Sequence, residues 1–114
     1  MSAPRKRVLV AEGDQIILVL LSHILTRQGY LVDTVATADE AEARLMGDHY
    51  DAVLLDADMP GWRMEWLREV ADGRVIILSG KTLETDLPVG VVIRKPIEFA
   101  SLLETVANCL TKTH

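Results

Sequence analysis

Apolar residues along this chain fall into two kinds of run. Short, nearly continuous stretches rich in Val, Ile and Leu occupy residues 8–11, 31–35, 52–55, 75–78 and 91–93. Several are too continuous for a half-wet antiparallel strand, which alternates, and suit the covered strands of a parallel sheet. Between them, apolar positions recur at helical spacing. Residues 15–28 carry apolar side chains on nearly every side and stop at Gly29, a residue suited to ending a helix. Thr37-Ala38-Asp39-Glu40 fits a capping box and is followed by Ala41, Ala43 and Leu45. Residues 64–71 place Leu67, Val70 and Ala71 on one side. After Pro96, a last helix is predicted from Phe99, Leu102, Leu103, Val106 and Leu110. Strands alternating with helices predict right-handed βαβ units and a three-layer α/β sandwich. One connection is unusual: residues 81–90 contain Asp86-Leu87-Pro88 and leave room for only a short helix.

In open parallel sheets, ligands bind outside the carboxyl ends of the strands. Glu12 and Asp14 follow the first run, Asp56 the third, Ser79 the fourth and Lys95 the fifth. Acids, a hydroxyl and an amine on one edge suit phosphoryl transfer onto a carboxylate. Asp56 would be the nucleophile, acids would hold a divalent cation, and Ser79 and Lys95 would bind phosphoryl oxygens. Each residue also has a plainer use. Asp56 could start the turn at Asp58-Met59-Pro60-Gly61, Ser79 could be a loop hydroxyl before Gly80, and Lys95 could be a solvated lysine. Asp14 stands where a helix N-cap belongs, because Gln15-Ile16-Ile17 follows at once. Their convergence, in order, on one edge favours the shared role.

Bulk properties narrow the class. With 114 residues the chain is expected to form one domain over residues 1–114, its core at about 7–110, with no output domain. A net charge of −5 disfavours a nucleic-acid module, and the basic cluster Arg5-Lys6-Arg7 reads as a solvated lead-in. Cys109 is the single cysteine, so no intramolecular disulfide can form. The longest apolar stretch, residues 16–21, is far too short to span a bilayer, and no signal peptide is evident. A cytoplasmic protein without membrane contact is expected.

Together these residues resemble the receiver domain of two-component response regulators, from about residue 7 to residue 110. The most specific stretch is DAVLLDADMPG, residues 51–61, similar to the family's phosphoacceptor strand and turn. VIILSG is similar to the strand ending in Ser or Thr, IRKP to the strand ending in the lysine before proline, and RQGYLVDTVATADEA to the second strand and the start of the second helix. The resemblance implies a five-stranded parallel sheet in order 2-1-3-4-5. It implies that Asp56 accepts a phosphoryl group from a histidine kinase or a histidine phosphotransfer protein, with Ser79 and Lys95 contacting that group. It implies Mg²⁺ held by the Asp56 carboxylate, the backbone carbonyl of Asp58 and an acidic pair after the first strand. A cis Lys95–Pro96 peptide is implied as well. The side chains of Asp58 and Lys81 lie where the family tunes dephosphorylation.

Four departures from the family follow. The acidic pair falls on Glu12 and Gly13, so the second acid, normally the closer metal ligand, is missing and Mg²⁺ binding should be weakened. Gly13 could let Asp14 replace it, in competition with the capping role. The Asp-Gly that usually follows the Pro-Gly turn is replaced, with Arg63-Met64 here and Trp62 and Trp66 around it. The segment from Ser79 to Lys95 is several residues short, so the fourth helix should be shortened or absent. Val92 stands where the family carries its aromatic switch.

Leu18 and Val19 on the first predicted helix stand where the family pattern has charged residues, either as a greasy surface or as a partner or homodimer surface. Trp62 and Trp66 fit core packing, or a lid or interface anchor. The leading expectation is a stand-alone receiver domain that signals through protein contacts. The alternative is a pseudo-receiver, a phosphorylation-independent interaction module. Asp56-Ala57-Asp58 also superficially fits a haloacid-dehalogenase phosphatase. Such an enzyme needs a larger core and a further acidic pair, so an enzyme is not expected.

Overall fold

Five parallel strands in the order β2-β1-β3-β4-β5 form the frame of the molecule. The computed structural model describes residues 4–62, 74–81 and 91–111. The strands are β1 (Arg7–Ala11), β2 (Leu31–Val35), β3 (Ala52–Asp56), β4 (Val75–Ser79) and β5 (Val91–Arg94). They coincide with the apolar runs within a residue at each end. Every residue of β3 and β4 is buried, as continuous apolar runs in the middle of a covered sheet require.

Alternation along the strands divides the interior into two clusters. Leu9, Val53, Leu55, Val75 and Ile77 face one side, with Ala38 and Ala41 of α2 (Ala38–Gly47). Val8, Val10, Ala52, Leu54, Ile76 and Leu78 face the other, under Leu21 and Leu25 of α1 (Gln15–Arg27) and Leu102 and Val106 of α3 (Phe99–Thr111). This is the three-layer sandwich read from the sequence. The expected helix at residues 64–71 and the expected shortened or absent fourth helix lie outside the described residues.

Local signals set the helix ends. The Thr37 hydroxyl accepts a hydrogen bond from the Glu40 amide at 3.2 Å and donates to the Glu40 carboxylate at 3.1 Å, so the capping box forms. Helix α1 closes through the Gly29 amide on Thr26 O at 3.0 Å and the Tyr30 amide on Leu25 O at 3.4 Å. Gly29 takes φ 94° to make this turn, a conformation that glycine adopts without steric cost. The apolar girdle of α1 also resolves. Leu18, Leu21 and Leu25 form a stripe at helical spacing against the sheet, leaving Ile16 and Val19 exposed at 73% and 64%. Leu18, expected on a partner surface together with Val19, is therefore a core residue. Among the described residues, no helix is long and apolar enough to cross a membrane.

At the opposite end of the sheet from the acidic edge, Asp33 gathers a polar network. Its carboxylate accepts from the Tyr50 hydroxyl at 2.7 Å and from Arg7 at 3.1 Å, with Arg44 at 3.8 Å. The Arg7 guanidinium also lies 4.8 Å from the Tyr50 ring centroid. The Tyr50 hydrogen bond lowers the Asp33 pKa most. Partial burial works against it, and Arg7 and Arg44 add to the lowering. A carboxylate whose pKa falls on folding contributes stability fully above its unfolded value of about 4 and loses it as pH falls through the folded value. Asp33→Asn should cost about 1 kcal/mol at neutral pH, a modest figure because the side chain stays partly in water. Urea denaturation of both proteins should show this gap at pH 7 and its progressive narrowing as pH falls below about 4; a gap that does not narrow would contradict the assignment.

Candidate functional site

The carboxyl ends of β1, β3 and β4 and the residue after β5 meet at one edge, and backbone ladders continuing past the strands place them there. Glu12 N donates to Val35 O at 3.2 Å, Ala57 N to Leu78 O at 2.8 Å, and Lys95 N to Ser79 O at 2.8 Å. The Lys95–Pro96 peptide is cis.

Three charged side chains meet at the centre. Lys95 Nζ lies 3.1 Å from Glu12 Oε1 and 3.1 Å from Asp56 Oδ1. Glu12 is fully buried and the Asp56 side chain is only 5% exposed, so the ammonium bridges two carboxylates that water scarcely reaches. Asp56 is further oriented by the Asp58 amide on Oδ1 at 2.9 Å and the Gly13 amide on Oδ2 at 3.2 Å.

These contacts separate the two acids. Burial, reinforced by the neighbouring Asp56, pushes the Glu12 pKa up, with the Asp14 amide and Lys95 opposing. Burial also acts upward on Asp56. It is outweighed there by hydrogen bonding to Glu12, the amides of Asp58 and Gly13, and Lys95, so the Asp56 pKa falls. Burial pulls Lys95 down, but Glu12 and Asp56 more than offset it and the ammonium is favoured. Asp56 is thus the acid held as an oriented carboxylate. That is the state a nucleophile needs.

The expected positions divide on inspection. Glu12, Asp56 and Lys95 are together. Ser79 is buried at the same edge, but its hydroxyl donates to Asp58 Oδ1 at 3.0 Å rather than to Asp56. The Asp14 carboxylate caps α1, its Oδ1 accepting from Ile16 N at 2.9 Å and Ile17 N at 3.2 Å. Of its two competing roles, the structure gives Asp14 the cap.

Three residues make contacts here that the sequence did not reveal. The Asp58 side chain, considered only for its carbonyl and for dephosphorylation tuning, binds Ser79 and also accepts from Gly80 N at 2.7 Å. Trp62 packs against the α2-side core and donates its indole N–H to Asp56 O at 2.7 Å, tying the following loop to the end of β3. Trp66 lies outside the described residues. Met59 fills the space beside Gly13, where an added Cβ would come within 2.9 Å of Met59 Cγ. The DMPG turn was visible in the sequence, but its contacts across the edge were not.

A magnesium ion fits the donor types, with one carboxylate fewer than the resemblance implies. Glu12 Oε2 is buried without a hydrogen-bond partner, the kind of oxygen that a cation would satisfy. Glu12 and Asp56 supply two carboxylates, and Mg²⁺ commonly takes one or two together with waters and phosphate oxygens. Among the described residues, no group of three or more acidic, His or Cys side chains is placed to hold a metal.

Comparison with known proteins agrees with this geometry. The family model for the response regulator receiver domain matches residues 8–107. The transcriptional regulatory protein TcrA of Mycobacterium tuberculosis is 46% identical over a stretch covering 48% of this chain and 22% of TcrA. The chain spans half or less of the curated relatives it matches. The CheY-like receiver domain protein of Methanospirillum hungatei JF-1 superposes with TM-score 0.85 at 26% identity, covering 94% of each chain. Response regulator TrrA of Thermotoga maritima, solved in complex with Mg²⁺-BeF, gives TM-score 0.80 at 30% identity, covering 92% of this chain and 99% of TrrA. With the family model spanning nearly all of the sheet and the fold matching at this level, the chain belongs to the response regulator receiver domain family of two-component signalling.

Proposed function

We propose that this receiver domain accepts a phosphoryl group on Asp56 from a phosphohistidine of a histidine kinase or phosphotransfer protein, and signals through protein contacts. The observation that carries this reading is the Asp56 carboxylate itself, held at the end of β3 by two backbone amides and Lys95. In the transfer, an Asp56 oxygen forms the new O–P bond as the donor's P–N bond breaks, and the imidazole nitrogen leaves with that electron pair. Lys95 is positioned to turn from the two carboxylates to a phosphoryl oxygen and offset its charge. Ser79 is close enough along the edge to supply a hydroxyl once released from Asp58.

Glu12, Asp56 and the Asp58 carbonyl would hold Mg²⁺, as is typical of the family and as TrrA binds it with BeF. Bound there, the ion supplies positive charge against the roughly two negative charges of an aspartyl phosphate. The apolar residues of α1 that reach solvent, Ile16, Val19 and Leu20, offer the surface for a kinase, a phosphotransfer protein or a second copy.

Intact-mass measurement after incubation with acetyl phosphate and Mg²⁺ tests the proposal. An adduct of about 80 Da, one phosphoryl group, is expected on the wild type and not on Asp56→Asn. No adduct, with partner binding indifferent to Asp56→Asn, would leave the phosphorylation-independent interaction module. In the same assay Lys95→Ala should slow labelling about a hundredfold, the scale of losing a positioned transition-state charge. A rate within a factor of about two of wild type would remove Lys95 from the chemistry. Gly13→Asp restores the missing acid and should tighten Mg²⁺ about tenfold while lowering Tm, because Met59 has to move. Tryptophan fluorescence suits the titration, since Trp62 is bonded to the Asp56 carbonyl; unchanged affinity would show that the absent carboxylate does not limit the metal.

A further inference from the structure

Trp62 is bonded to the main chain of Asp56 itself, a contact that packing a large ring does not require. Its indole N–H donates to Asp56 O at 2.7 Å while the ring packs against the α2-side core. Gly61, at φ 95°, turns the chain so that the indole reaches the end of β3. The same carbonyl oxygen accepts the Met59 amide at 3.2 Å, so one atom ties the turn after β3 at two points.

The second of these bonds sets the direction of another atom. The Met59 amide and the Asp58 carbonyl belong to one peptide group, which is planar and trans, so its C=O points away from its N–H. Aiming the Met59 N–H at Asp56 O therefore also aims the Asp58 carbonyl. The Asp58 amide, on the other side of the same residue, is held by Asp56 Oδ1 at 2.9 Å. Both bonds depend on how Asp56 is oriented, and the short indole bond fixes its main-chain end. Resting on the magnesium reading above, in which the Asp58 carbonyl is a donor, we propose that Trp62 is a positioning residue whose bond to Asp56 O fixes the Asp58 peptide and so presents that carbonyl to the metal. At an edge with Gly13 in place of an acid, a main-chain donor already aimed carries a larger share of the binding, because the loop has no ordering left to undergo when the ion arrives.

The test compares wild type with Trp62→Phe, which keeps an aromatic ring but loses the N–H, and with Tyr50→Phe, which loses one aromatic donor to Asp33 at the far end of the sheet. Calorimetric titration with Mg²⁺ alone should show affinity reduced about fivefold in Trp62→Phe, the scale of one lost hydrogen bond, and within about twofold of wild type in Tyr50→Phe. Both variants should lower Tm, so melting alone does not separate them. Unchanged Mg²⁺ affinity in Trp62→Phe would overturn the proposal and leave Trp62 a packing residue. An equal loss in both variants would overturn it as well, by assigning the effect to general destabilisation. A wild type that takes up no Mg²⁺ would overturn the metal reading instead. Hydrogen exchange of the Met59 amide, which needs no metal, then decides the positioning role: exchange about fivefold faster in Trp62→Phe than in wild type supports it, and unchanged exchange overturns it.

Discussion

Lys95 sits between Glu12 and Asp56 at 3.1 Å from each, and the arrangement of the whole edge depends on that three-way contact. Two carboxylates withdrawn from water repel each other and lose solvation, so a bare pair would be costly. The ammonium makes the pair tolerable, and its long side chain reaches them from the end of β5, the far edge strand, across the end of β4. Removing one member of such a set leaves the others buried without a partner, which costs several times what the intact contact gains. The amides of Asp58 and Gly13 complete the arrangement by favouring the ionised form of Asp56 specifically. The proton preference of the site thus falls on Glu12.

The absent acid at position 13 is accommodated in three ways. Gly13 contributes its amide to Asp56, Met59 occupies the space beside it, and Asp14 is committed to the start of α1. None of these supplies a replacement carboxylate. What results is an edge whose cation is the lysine and whose two central carboxylates are Glu12 and Asp56. A close-packed Met59 also explains why the acid could not simply be restored without a neighbour shifting.

The five strands, their order and the capping box were legible because each rests on short-range chemistry: continuous apolar runs, a Thr–Glu pair three residues apart, a glycine at a helix end. Asp56, Glu12 and Lys95 were legible as well, since strand ends in a parallel sheet converge whatever the loops do. The orientation of α1 was not. A helix with apolar residues on nearly every side has no single hydrophobic face, so only packing against β1 and β2 decides that Leu18 turns inward and Val19 outward. Nor was the Asp58–Ser79 contact, which joins residues 21 apart through the shapes of two loops. Trp62 was read as a core residue or as a lid or interface anchor, yet its hydrogen bond to the Asp56 carbonyl depends on the path of the chain after Gly61, where φ is 95°.

The division of roles between the two acids can be observed without phosphate or metal. A ¹³C carboxyl NMR titration of the metal-free protein, with Asp56→Asn and Glu12→Gln for assignment, follows each acid directly. Asp56 should stay ionised to below the ordinary aspartate value of about 4, while Glu12 takes up its proton above the ordinary glutamate value. Protonation of Asp56 before Glu12 as pH falls would contradict this division between the two acids.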